Sequence, residues 1–166
     1  MTTLTRADWE QRAKDLKIEG RAYINGEYTA AASGDTFECI SPVDGRLLAT
    51  VASCDAADAQ RAVENARATF NSGAWSRLAP AKRKAVMIRF AALLKANAEE
   101  LALLETLDMG KPISDSLNID VPGAANALSW SGEAIDKIYD EVAATPHDQL
   151  GPVTREPVGV AGAIVP

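Results

Sequence analysis

Residues 158–165, VGVAGAIV, constrain the fold of this chain more than any other stretch. They contain only apolar residues and glycines, without the alternation of a strand that shows one face to water. Such a run reads as a strand buried on both faces, the kind found in parallel sheets. A parallel strand needs parallel neighbours, and these are reached through long, usually helical, crossovers. The sequence therefore asks for an α/β architecture, with helices to cover the sheet. Because the run stands at the end of the sequence, the chain is expected to be a truncated part of a larger fold.

The preceding residues supply both periodicities. Thr5 and Asp8 have the spacing of a capping box, and Trp9, Ala13 and Leu16 follow at helical intervals, which predicts a helix over 5–18. In AYINGEYT, Asn25-Gly26 between short apolar runs is a hairpin signal. Residues 36–40 and 47–51 read as two further strands joined by the turn residues of SPVDG, completing a small β-meander. The period then changes. Ser53 or Asp55 can cap a helix whose face carries Ala59, Val63, Ala66 and Phe70. Pro80 opens a second helix, with Val86, Phe90, Leu93 and Leu94 on one side. A third carries Leu101, Leu104 and Leu107 and stops at Gly110-Lys111-Pro112. A long fourth helix starts near Pro122, with Leu128, Ile135, Ile138 and Val142 inward, and ends at Thr145-Pro146. Residues 149–156 read as an extended, part-polar strand.

Composition narrows the function. The 166 residues are enough for a core, and 47% apolar with 24% charged residues is ordinary globular usage. The net charge, 17 − 23 = −6, weighs against nucleic acid or an anionic membrane as partner. No stretch approaches the roughly 18 apolar residues of a membrane helix. The charged first twenty residues lack the apolar segment of a secretory signal. Cys39 and Cys54 form no CxxC and no metal spacing, consistent with free thiols in a cytoplasmic protein.

Four motifs then occur in order. YINGEY, ISPVDGRLLATV, LETLDMGKP and REPVGVAGAIVP, at these separations, resemble the N-terminal part of an NAD(P)-dependent aldehyde dehydrogenase. The similarity runs over about residues 18–166 and is closest to bacterial gamma-glutamyl-gamma-aminobutyraldehyde (aminoaldehyde) dehydrogenases of polyamine catabolism. The resemblance implies a division into residues 1–148, the β-meander and helices of a cofactor-binding domain; 149–157, part of an oligomerisation β-extension; and 158–166, the first strand of a Rossmann-like sheet. It implies oxidation of an aldehyde to a carboxylic acid with NAD or NADP through a cysteine thioester. In the family the oxyanion-hole Asn, the nucleophilic Cys and the Glu base follow the segment matching GAIVP. The 166 residues are thus expected to hold no catalytic residue and to be inactive alone. A full-length homo-oligomer, dimer or tetramer, is expected, with a small-molecule aldehyde as substrate.

The resemblance also assigns sites. Ile164, Val165 and Pro166 border the nucleotide cleft and offer backbone and apolar contacts. Asp108, with backbone carbonyls of Cys39 and Ile40, matches a structural Na⁺ or K⁺ site. A carboxylate at a helix C-terminus opposes the helix dipole and invites a cation. Cys39 stands where Thr is common, and Ser41 where Asn is common. Gly159 and Gly162 do not form a dinucleotide fingerprint. Neither cysteine has the surroundings of a nucleophile, because Asp55 beside Cys54 opposes a thiolate, and His147 sits in a surface loop without a Ser or Cys partner. The competing reading is a non-catalytic standalone scaffold or oligomerisation module derived from the same family.

Overall fold

Thr5 opens the first helix as the spacing predicts. The structure, a computed structural model, describes residues 4–165. Helix α1 spans Arg6–Asp15; Thr5 Oγ1 accepts from the Asp8 N–H at 3.3 Å while the Asp8 carboxylate accepts from the Thr5 N–H at 2.7 Å. It stops three residues short of the expected end, because Leu16 turns to an extended conformation. Strands β1 (Ala22–Ile24) and β2 (Glu27–Thr29) pair antiparallel around Asn25 and Gly26, whose φ angles of 57° and 81° fit the mirror-image turn a two-residue hairpin needs. β3 (Thr36–Ile40) and β4 (Leu47–Ala52) form a second hairpin with a register shift between Cys39 and Ile40. The two hairpins are separate two-stranded ladders rather than one meander. They are linked through the strand-flanking chain, where the Ala52 N–H donates to Gly20 O at 2.8 Å.

Helix α2 (Ala56–Ser72) is capped by Asp55. Its inner side carries Asp58, Ala62, Ala66 and Phe70, whereas Ala59 and Val63 face water. Helices α3 (Pro80–Ala96), α4 (Ala98–Met109), the short α5 (Ile113–Asp115), a π-helical turn (Ser116–Asp120) and α6 (Val121–Ala134) follow. The core lies between these helices and is built from small residues: Ala91 on α3, Ala102, Leu103 and Leu107 on α4, Val121 and Ala125 on α6. α3 and α6 form the principal helix pair, and buried Gly132 faces Met87 and Ile88.

Three expectations change. On α3 the face turned to α6 carries Lys84, Met87, Ile88 and Ala91. Val86, Phe90 and Leu93 are left about half exposed. The long fourth helix ends at Ala134, and Ile138 and Val142 are exposed rather than inward. Val142 lies instead in β5 (Glu141–Ala143), paired antiparallel with β6 (Gly151–Val153). Arg155 clasps this hairpin: its backbone N–H donates to Asp140 Oδ1 at 3.0 Å and its guanidinium to the Tyr139 carbonyl and to Glu141 Oε1 at 2.6 Å. Ladder and clasp together outweigh continuation of the helix. Finally, residues 154–165 carry no ladder among the described residues, and Val158 and Ile164 are fully exposed. A parallel strand is defined by its neighbours, and no described strand lies beside this run.

Candidate functional site

The end of β3 lies across the C-terminus of α4, and two side-chain contacts fix that crossing. Ser41 is 1% exposed; its Oγ donates to Leu107 O at 2.7 Å and accepts from the Val43 N–H at 3.3 Å. This satisfies a carbonyl in the last turn of α4 that has no partner within the helix. Two residues earlier, the Cys39 thiol donates to Asp108 Oδ1 at 3.1 Å. Cys39, Leu48, Ala49, Leu104, Glu105 and Asp108 line a cleft of about 310 Å³ between hairpin and helix. Leu48 enters it because the register shift leaves this residue of β4 without an opposite number.

The structure therefore brings Cys39 and Asp108 together, sixty-nine residues apart in sequence. The donor set is limited. Among the described residues no three His, Cys, Asp or Glu side chains converge on one point. A cation at Asp108 would take one carboxylate and would need its other ligands from backbone carbonyls. Oxygen donors of this kind suit a hard, weakly held cation and not a transition metal.

The same contact disposes of Cys39 as a nucleophile. The hydrogen bond to Asp108, then burial, then the carboxylate's charge, raise its thiol pKa. Cys54 is exposed and its pKa is raised as well, first by desolvation and then by the Asp58 carboxylate; Asp55, the neighbour that the sequence suggests, contributes least. His147 is exposed in the loop between β5 and β6. Ile164 and Val165 present apolar side chains and backbone groups to solvent and build no cradle of their own for a dinucleotide. Pro166 lies outside the described residues.

Asp58 is the site residue that the sequence reading missed. Its side chain is 1% exposed, yet it is ionised and fully occupied. Both oxygens accept from the Ala32 N–H at 3.1 Å, one accepts from the Asp55 N–H at 3.3 Å, and Arg61 donates at 3.1 Å. Its pKa is lowered, chiefly by the Ala32 N–H. Asp55-x-x-Asp58 is a capping box with an acid at its third position, the one signal that could have revealed it. Asp58 serves architecture: it ties the β2–β3 loop to the start of α2.

The sequence profile of the aldehyde dehydrogenase family matches residues 28–166. The chain belongs to the aldehyde dehydrogenase family. It is 55% identical over 160 residues to the NADP/NAD-dependent aldehyde dehydrogenase PuuC of Escherichia coli, covering 96% of this chain and 32% of that protein. Among solved structures, it superposes with a TM-score of 0.93 at 86% identity on the P. syringae indole-3-acetaldehyde dehydrogenase AldA, solved in complex with NAD⁺ and IAA, covering 95% of this chain and 32% of that one. With the gamma-glutamyl-gamma-aminobutyraldehyde dehydrogenase of Burkholderia cenocepacia the TM-score is 0.86 at 53% identity, over 87% of this chain and 29% of that one. The chain thus spans about a third of the length of the aldehyde dehydrogenases it matches, and has the architecture of the N-terminal part of their fold. No described helix is long and apolar enough to cross a membrane.

Proposed function

We propose that this chain is the N-terminal framework of a cytoplasmic, homo-oligomeric enzyme that oxidises an aldehyde to its acid with NAD⁺ or NADP⁺. The observation that carries the reading is the 86% identity, at a TM-score of 0.93, to an aldehyde dehydrogenase solved with NAD⁺. The nicotinamide cofactor supplies the hydride acceptor when bound. The chain's own part is positional. The α3–α6 pair and the crossing of β3 over α4 make the rigid framework, and beyond the β5–β6 hairpin Ile164 and Val165 border the nucleotide with backbone and apolar contacts. Residues 149–157, which include strand β6, are part of the oligomerisation extension, offering an edge for another subunit to cover. The chain alone does not turn over aldehyde. Its two described thiols both have raised pKa values, the reverse of what nucleophilic catalysis needs.

The substrate is an aminoaldehyde of polyamine catabolism, a reading supported by the 53% identity to a gamma-glutamyl-gamma-aminobutyraldehyde dehydrogenase. The 86% identity to an indole-3-acetaldehyde dehydrogenase favours a second reading, an aryl-acetaldehyde. The test joins the chain to the remaining two thirds of the P. syringae enzyme and follows NADH formation with both aldehydes, beside the chain alone. NADH from the joined protein and none from the chain is expected; NADH from the chain alone would sink the proposal. The substrate class is decided by the ratio of kcat/KM values for the two aldehydes in the full-length protein that carries this chain's own downstream sequence, not in the hybrid.

Asp108 with the Cys39 and Ile40 carbonyls holds Na⁺ or K⁺. The reading is supported by a carboxylate placed against the dipole at the end of α4. Thermal unfolding in NaCl, KCl and choline chloride at equal ionic strength tests it. A Tm higher in the alkali salts, with the difference abolished in Asp108→Asn, is the expected result; equal Tm values in all three salts rule the site out.

A further inference from the structure

Helix α1 buries none of its side chains, yet it is tied to the fold. Arg12 pairs with Glu99 in the first turn of α4, and Arg46 Nη2 donates to Ala13 O at 3.4 Å. The Arg12 guanidinium also lies 5.5 Å from the centroid of the Trp9 ring. These polar ties hold α1 beside α4 without packing it down. Between the two helices runs a groove of about 700 Å³, lined by Trp9 and Ala13 of α1, Leu103 and Leu107 of α4, and Ile113 and Leu117 beyond it. The polar side chains at its edge are already matched within the chain. Arg6 Nε donates to Glu10 at 2.7 Å and Lys111 Nζ to Asp120 at 2.6 Å. Thr106 bonds Ser116 at 3.1 Å, Ser114 bonds Asp115 at 3.2 Å, and Asn118 donates to the Ser114 carbonyl at 2.8 Å.

We propose that the groove between α1 and α4 binds a neutral aromatic small molecule, larger than a single ring. Small-molecule sites are concave, of roughly 300–1,000 Å³, and mostly apolar with a few polar groups, as this groove is. The charge of the occupant follows from the rim. A charged ligand would find its counter-ions already paired, so its charge would add a desolvation cost and gain no new partner. Its aromatic character follows from Trp9, against whose ring another ring packs offset or edge-on. Covering the leucines and Ile113 removes further apolar surface from water. Helix α1 lies outside residues 28–166, the stretch that the family profile matches. The site therefore belongs to chains that carry α1, not to the family at large, and it does not depend on which aldehyde the enzyme takes.

The probe is N-phenyl-1-naphthylamine, a neutral two-part aromatic that fluoresces in apolar surroundings. It is titrated into this chain and into the full-length protein that carries it. Trp75→Phe and Trp130→Phe leave Trp9 as the single tryptophan of the 166 residues. Saturable binding of one probe per chain, with quenching of Trp9 emission, is expected, and the full-length protein binds it too. Ala13→Trp fills the groove from the α1 side and weakens the Kd at least about tenfold. Trp9→Ala, which removes no buried side chain, also weakens it. The same skeleton carrying a sulfonate, 8-anilino-1-naphthalenesulfonate, displaces the probe from this groove at least about tenfold less effectively than a neutral competitor. Probe affinity unchanged in both variants overturns the proposal, as does equal displacement by the sulfonate. Binding by the chain that is lost in the full-length protein overturns it as well. So does protection of Trp9 that grows with chain concentration, which assigns the groove to a second copy. NADH formation is read separately: probe binding without aldehyde oxidation keeps this site and rejects the enzyme reading.

Discussion

Cys39 shows how much one partner decides. A free thiol can look like a candidate nucleophile in a sequence, but Cys39 donates its proton to Asp108. Replacing Asp108 with Asn removes the charged acceptor that raises the Cys39 pKa. Asp108→Asn is therefore expected to quicken alkylation of Cys39 by iodoacetamide at pH 8, read by mass spectrometry, with Cys54 as internal control. Gly20 poses a different constraint. A Cβ at that position would collide with the Thr50 backbone carbonyl, which cannot rotate away because it belongs to β4. Gly20→Ala should cost about 1–3 kcal/mol in urea unfolding, the usual cost of forcing atoms into a packed site. The sequence could not announce this, since residues 20 and 50 meet only after β3 and β4 have paired.

At the scale of elements, local signals were legible and partnerships were not. The capping box of Thr5 and Asp8, the Asn25-Gly26 hairpin and the stop at Gly110 act within a few residues, and each is where the sequence places it. Which side of a helix turns inward depends on what lies beside it. For that reason Ala59 and Val63 on α2, grouped by spacing with Ala66 and Phe70, and Val86, Phe90 and Leu93, grouped on one side of α3, stand towards solvent. The end of α6 was misplaced for the same reason, because Arg155, twenty-one residues beyond Ala134, closes the hairpin that replaces the last turns. The Cys39–Asp108 pairing was legible only through family resemblance, and Asp58 was hidden inside a capping motif. Asp58 also sets a pH response. Its carboxyl pKa is lowered in the folded chain, so the clamp on the β2–β3 loop stabilises fully above the ordinary carboxylate range. That contribution is lost as pH falls through the lowered value. Thermal unfolding from pH 6 down to pH 3 should therefore show a falling Tm, with a shallower fall in Asp58→Asn, whose neutral amide does not titrate.

The whole molecule carries more apolar surface than a chain of its size usually shows. Trp130, Tyr139, Leu150, Val158, Ile164 and Val165 are each more than 70% exposed, beside the half-exposed stripe of α3. Surfaces of this kind mark sites of interaction. The lone chain is expected to bind the dye ANS strongly, and joining it to the rest of an aldehyde dehydrogenase should suppress that fluorescence. Undiminished dye binding after joining would mean that these residues face solvent in the larger protein too. The fold class was legible from the four motifs and their order, whereas the apolar run 158–165, read as a buried strand, has no ladder and stands exposed among the described residues.

The bond from Ser41 to the Leu107 carbonyl also has a place in time. Sixty-six residues separate donor from acceptor. At ribosomal speeds that interval takes about 3–13 s to synthesise. The two hairpins can close as soon as they emerge, yet the surface that will meet α4 stays bare for all of it. Birth of this chain therefore includes a waiting period in which β3 is finished but unsheathed, and that window is when a nascent-chain chaperone would find it.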